Sequence, residues 1–314
     1  MQTDSHPTPA APVLAMVGLG RMGANMARRL ARGGARVHAF DAQTEARAAL
    51  AGEPGIACHE TLRATLEALP APRTVWLMLP AGEPTEATLA AIVPMLATGD
   101  LVVDGANANY LDSQRHAREL AAHGLHFADC GVSGGVWGLE NGYCLMYGAD
   151  PGPAARMAPL ARLLAPAPDR GWLHCGPPGS GHFVKMIHNG IEYGAMQAYA
   201  EGFALLEGKP EFGLDLGAVG ELWRHGSVIR SWLLDLTVDA LRDPGALGSV
   251  EPFVADSGEG RWTVDEAVRQ GTPAPVISLA LMSRFASQGR ADTANRLLSL
   301  MRKGFGGHLE RKQS

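Results

Sequence analysis

The 314-residue chain reads as an α/β domain with a doubly wound, mainly parallel sheet, followed by an all-α domain. Two observations predict this. Short apolar runs alternate with helical or loop stretches through the first half, the pattern of strands joined by crossover helices. From about Gly179 onward the periodicity turns helical over long stretches, with few strand candidates. The turn-rich Gly176-Pro-Pro-Gly-Ser-Gly181 is the expected junction. It gives a loose tail at 1–12, the α/β domain at 13–178 and the helical domain at 179–314.

Taken in order, Val13-Leu-Ala-Met-Val17 is the first strand and ends in Gly18-Leu19-Gly20-Arg21-Met22-Gly23. An alanine-rich helix follows to Arg32 and stops at Gly33-Gly34. Arg36–Phe40 is a second strand that terminates at Asp41. Further strands are expected at Thr74–Leu79, Leu101–Asp104 and His126–Ala128, with Gly142–Tyr147 as one more candidate.

Composition narrows the function classes. A mass of 33.1 kDa suffices for two substantial cores. A net charge of −5 and a pI near 6.1 argue against a nucleic-acid partner. No apolar run approaches the roughly 18–20 residues of a spanning helix, so no membrane partner is expected. Met1 to Pro12 lacks the basic and apolar regions of a signal peptide. A cytoplasmic location follows as the expectation, with Cys58, Cys130, Cys144 and Cys175 reduced. No metal site is expected: the 11 histidines show no ligand spacing, and His182 and His188 fall on different helix faces.

The glycine-rich turn sits where a dinucleotide-binding turn belongs, between a strand and a helix, with an acid closing the next strand. Gly18 makes the turn, Gly20 lets the backbone approach a pyrophosphate, and Gly23 permits close helix–strand packing. The helix N-terminus offers the phosphates free N–H groups and a positive dipole end. Asp41 suits the adenosine ribose hydroxyls and would repel a 2′-phosphate. Ala42 and Gln43 add no positive charge, and Arg47 lies further on in a helical stretch. NAD is therefore the expected cofactor.

Lys185, His188, Asn189 and Glu192 lie at i, i+3, i+4 and i+7, one stripe on one helix face. Val184, Met186, Ile187, Gly190, Ile191, Gly194 and Ala195 surround them with apolar or small side chains. That predicts a buried helix whose polar stripe lines an internal cleft.

Together these residues resemble the 6-phosphogluconate dehydrogenases, specifically their short, NAD-preferring branch within the β-hydroxyacid dehydrogenases. The ordered motifs are Gly18–Gly23, Asp104-Gly-Ala-Asn107, Val132-Ser-Gly-Gly135, Lys185-Met-Ile-His-Asn-Gly-Ile-Glu-Tyr193, Asp256-Ser-Gly-Glu-Gly-Arg-Trp-Thr263 and Arg302-Lys-Gly-Phe-Gly-Gly-His308. The resemblance implies a Rossmann domain, with Leu19, Arg21, Met22, Leu79, Pro80 and Asn107 joining the glycines and Asp41 around NAD. It implies oxidative decarboxylation of a small phosphorylated sugar acid, 6-phosphogluconate. Lys185 would act as general base on the C3 hydroxyl, the neutral amine being favoured by burial beside a positive nicotinamide. Glu192 would protonate C1 of the enediol. Asn107, Ser133, Gly134, Gly135, His188 and Asn189 would hold the substrate's hydroxyls and carboxylate.

At the phosphate end the resemblance implies Tyr193 and Arg284, with Arg302 and His308 lent by a partner subunit in a homodimer or homotetramer. Arginine suits a phosphate through its planar fork of donors. The chain departs from the family pattern at Ala106 and Ala108, where many relatives carry glycine and serine. It also shortens the loop at Ser257–Trp262, where Glu259 would repel a phosphate and Arg261 is a candidate ligand. Two rival readings share the cofactor. A non-decarboxylating hydroxyacid dehydrogenase, with a 3-hydroxyisobutyrate-like substrate, would need neither Glu192 nor phosphate ligands. A non-catalytic NAD-binding module would not need the acid/base pair; Lys185 argues against an imine reductase.

Overall fold

The computed structural model describes residues 11–306, apart from Pro244 and the side chains of 303–306. Eight strands form one sheet: β1 (Val13–Val17), β2 (Arg36–Phe40), β3 (Ile56–Cys58), β4 (Thr74–Leu77), β5 (Leu101–Asp104), β6 (His126–Ser133), β7 (Cys144–Ala149) and β8 (Trp172–Gly176). Their order is β3-β2-β1-β4-β5-β6-β7-β8. All neighbours pair in parallel except β6 and β7. The doubly wound, mainly parallel sheet is as the alternation predicts.

The helices of this part are α1 (Arg21–Arg32), α2 (Thr44–Ala48), α3 (Leu62–Glu67), α4 (Glu83–Ile92), α5 (Tyr110–Ala121), α6 (Gly138–Asn141) and α7 (Pro151–Leu164). They cover both faces of the sheet. Leu14 and Met16 pack with Met26 and Leu30 on one face, whereas Ala15 and Val17 pack with Leu66, Leu89 and Ile92 on the other. Winding reverses between β1 and β4, so a crevice opens beyond their C-terminal ends.

Four strand boundaries differ from the sequence reading. β4 stops at Leu77 because residues 78–80 turn around Gly18, whose missing Cβ would lie 2.4 Å from the Met78 carbonyl oxygen. β6 runs on to Ser133 because β7 pairs with it along Ala128–Ser133, and β7 itself spans Cys144–Ala149. β3 and β8 escaped the apolar pattern: both lie at the sheet's edges and neither has a buried residue.

Helix α8 (Ser180–Glu207) is 28 residues long, and the chain divides into two compact units within it, at Met186/Ile187. The second unit continues with α9 (Leu216–Arg224), α10 (Trp232–Arg242), α11 (Glu259–Gln270), α12 (Pro275–Ser287) and α13 (Asp292–Gly306). Small apolar clusters hold it, one around Tyr193, Ala280 and Leu281, another around Phe203, Leu234 and Val238. Burial of α8 on all sides, expected from its composition, does not hold. Lys185 and Asn189 are buried, while Val184, Met196 and Ile191 are exposed, the last at 61%.

The first turns of α8 sit on bare backbone. A Cβ at Gly181 would lie 2.5 Å from the Met146 oxygen and 2.8 Å from the Asp129 oxygen and the Gly148 nitrogen. None of those atoms can swing aside, so Gly181→Ala is expected to cost about 1–3 kcal/mol by overpacking. Gly152 in α7 meets nothing within 4 Å, so Gly152→Ala should be neutral or slightly stabilising. Calorimetric melting of the two variants checks the contrast; equal melting temperatures would refute it.

Candidate active site

The nucleotide cradle is built by close backbone packing. Gly18 adopts φ +93°, and a Cβ at Gly23 would lie 2.0 Å from the Gly18 oxygen. Gly20, by contrast, faces open space. It caps α1, which has no side-chain acceptor for its first-turn N–H groups and no acid there. A bare helix N-terminus beside an open glycine is what a pyrophosphate needs. The residues present therefore fit a dinucleotide.

Asp41 pins that turn. One of its carboxylate oxygens accepts the Leu19 N–H at 2.6 Å and the other the Gln43 N–H at 2.8 Å. The sequence left the neighbourhood of Asp41 without a cation, but the fold supplies one. Arg47 on α2 folds back and donates to the Asp41 and Ala42 carbonyls at 2.7 and 3.3 Å and to the Thr44 hydroxyl at 3.1 Å. Its fork is committed to these acceptors.

On the other side of the crevice, Leu79 is partly buried and Pro80 exposed, just beyond β4. Arg21 is exposed and Met22 half-buried on the first turn of α1. Asn107 ties the segment after β5 to β6, its amide oxygen accepting the Val132 N–H at 3.2 Å. Ala106 and Ala108 are buried there. Ser133 ends β6, and Gly134 and Gly135 turn the chain at φ +132° and +52°.

Lys185 is 5% exposed. Its Cβ and Cγ lie over Gly131, where an added Cβ would come within 2.3 Å of the lysine's own. Two carboxylates are fully buried in the neighbouring strands, Asp104 at the end of β5 and Asp129 midway along β6. Burial raises the pKa of each, opposed by His182 and by backbone N–H donors.

Further along the same face of α8 come His188, Asn189 and Glu192. The His188 Nδ1 lies 3.0 Å from the Asn189 amide oxygen and 3.9 Å from Glu192. Asn189 is 9% exposed, whereas His188 and Glu192 are half-buried. In the same unit Tyr193 is clamped: Gly260 packs on its ring, and the Arg284 guanidinium stacks 3.5 Å from the ring centroid. Arg284 also donates to the Ala255 carbonyl at 2.7 Å. The Ser257 N–H donates to the Tyr193 hydroxyl at 3.3 Å, while the Ser257 hydroxyl donates to buried Glu259 at 2.5 Å. Arg261, a candidate phosphate ligand, forms a two-pronged pair with Asp256 that lowers the pKa of that carboxyl. Arg302 is exposed on α13, and His308 lies outside the described residues.

Residues 13–168 match the NAD binding domain of 6-phosphogluconate dehydrogenase, and residues 181–303 match the 6-phosphogluconate dehydrogenase C-terminal domain. The chain belongs to the 6-phosphogluconate dehydrogenase family. It is an oxidoreductase with NAD as its cofactor. Across 297 residues it is 42% identical to the NAD(+)-dependent, decarboxylating 6-phosphogluconate dehydrogenase of Haloferax volcanii, covering 94% of this chain and 97% of that one. Among solved structures, Plasmodium falciparum 6-phosphogluconate dehydrogenase superposes with a TM-score of 0.80 at 24% identity, over 96% of this chain and 67% of that one. Mycobacterium tuberculosis 3-hydroxyisobutyrate dehydrogenase gives 0.70 at 23% identity, over 90% and 94%. The two structures share the fold.

Asp129 and Gly131 are not singled out from the sequence, and Arg47, set aside there as lying further along a helix, turns back to the Asp41 carbonyl. Asp129-Cys-Gly131 immediately precedes the Val132–Gly135 motif, a signal of proximity to the site but not of what these residues do. Asp41→Asn removes the charge facing the Leu19 N–H. Charge-assisted hydrogen bonds contribute about 1.5–3 kcal/mol, so NAD affinity should fall about 10- to 100-fold. Fluorescence titration measures this, and an unchanged Kd would count against Asp41 as the anchor.

Proposed function

We propose that this enzyme catalyses NAD-dependent oxidative decarboxylation of 6-phospho-D-gluconate to D-ribulose 5-phosphate, CO2 and NADH, in cytoplasmic pentose phosphate and gluconate metabolism. The observation that carries the reading is the Lys185–His188–Asn189–Glu192 face of α8, with the lysine 5% exposed on its glycine seat. Gly18, Leu19, Gly20, Arg21, Met22, Gly23, Asp41, Leu79, Pro80 and Asn107 hold NAD, which supplies the hydride acceptor. Lys185 takes the proton of the C3 hydroxyl as C3 is oxidised to a ketone. The C1–C2 bond then breaks, CO2 leaves, and its electron pair passes to C2 and the C3 oxygen. Lys185, now an ammonium, holds that enolate oxygen. Glu192 delivers a proton to the former C2, which becomes C1 of ribulose 5-phosphate. Asn107, Ser133, Gly134, Gly135, His188 and Asn189 orient the hydroxyls and carboxylate.

Tyr193 and Arg284 take the phosphate, with Arg302 and His308 from a partner subunit in a homodimer or homotetramer. Apolar side chains on α13 support such a partner: Leu297, Leu298, Leu300 and Met301 are all at least 54% exposed. A second reading, a non-decarboxylating hydroxyacid dehydrogenase, draws on two observations. Glu259 is buried and bonded to Ser257, whose N–H holds the Tyr193 hydroxyl, and Arg261 is neutralised by Asp256.

NADH formation at 340 nm with 6-phosphogluconate, alongside trapped CO2 and ribulose 5-phosphate, tests the proposal. Stoichiometric CO2 is expected. Positioned acid–base groups contribute about 10²- to 10⁴-fold, so Lys185→Met and Glu192→Gln should each lose turnover on that scale. Undiminished turnover in Glu192→Gln would favour the second reading.

A further inference from the structure

We infer that Asp129 is a positioning residue for the Lys185 amine: it caps α8 from β6 and so fixes where the lysine emerges. This rests on the proposed role of Lys185 as base. The residue before α8 is Gly179, which has no side chain with which to cap the helix. Asp129 supplies the acceptor from another element. One carboxylate oxygen takes the Gly179 N–H at 2.5 Å and the other takes the His182 N–H at 2.7 Å. These are two of the donors that a helix leaves unsatisfied at its start, and a carboxylate there also meets the positive dipole end.

The clamp is rigid because everything around it is filled. Asp129 and His182 are 0% and 1% exposed. The His182 ring is held in turn, its Nδ1 2.7 Å from the Ser113 hydroxyl. The next turn of α8 begins three residues beyond His182, at Lys185, with its Cβ over Gly131. Asp129 and Gly131 are neighbours but one on β6, so the strand grips the helix start and seats the lysine stem with the same three residues. A shift of the first turn carries the amine with it.

Two variants test this. Asp129→Asn is isosteric but turns an N–H₂ group toward a backbone N–H, so one contact becomes repulsive. Gly131→Ala pushes on the lysine stem directly. A misplacement of about 1 Å can cost on the order of 100-fold in rate. Both variants should lose kcat by about 10- to 100-fold, with NAD affinity within about twofold of wild type. A second readout does not depend on turnover. Trace labelling of amines against pH, read by mass spectrometry, resolves Lys185 because the chain has only four lysines. In both variants the labelling rate or midpoint of Lys185 should move while that of Lys209 stays.

Unchanged kcat and Lys185 labelling in folded variants would overturn the inference. So would losses that only track a reduced folded fraction by circular dichroism. Failure of the wild type to oxidise 6-phosphogluconate would sink the proposed function instead, and the labelling result would still decide the role of Asp129.

Discussion

The arrangement of this candidate active site depends on one packing constraint: the start of α8 rests closely on the backbone of β6 and β7, with the Asp129 carboxylate tucked beneath its first turn. Gly131, Gly148 and Gly181 make that approach possible. A Cβ on any of them would come within 2.7 Å of a neighbouring atom. Close-packed interiors transmit such contacts as fixed positions. The lysine that emerges from this seat is therefore placed by strands well before it in the chain as much as by its own helix.

Two helix starts in the first unit are handled in opposite ways. Both lack a side-chain cap of their own, since Gly20 precedes α1 and Gly179 precedes α8. At α1 the space beyond Gly20 is open, which leaves an uncapped positive helix end of the kind that suits an anion. At α8 the same need is met internally by Asp129, and the end is closed. The same backbone electrostatics are thus left open in one place and satisfied internally in the other.

The second unit follows a different logic. Its aromatic centre, Tyr193, is pressed between Gly260 and the Arg284 guanidinium, so one cation is already spent on a ring face and a carbonyl. Glu259 and Asp256 lie next to this cluster and hold Ser257 and Arg261. Among the described residues Arg261 and Arg290 also reach this cluster, both over the Phe285 ring.

The layered fold, the dinucleotide turn and the polar stripe were legible in the chain, because each is written in local periodicity: strands by apolar runs, the turn by glycine spacing, the stripe by helical repeat. The sequence did not reveal β3 and β8, whose edge positions leave no buried residue to mark them. Nor did it reveal that Arg47 returns to Asp41, that Asp256 neutralises Arg261, or that α8 leaves Ile191 exposed. Those outcomes depend on which groups meet across long stretches of chain. Asp129 is the clearest case. Nothing in its neighbourhood in sequence identifies a helix cap 50 residues away, and only the register of β6 beneath α8 brings its carboxylate to the N–H groups it holds.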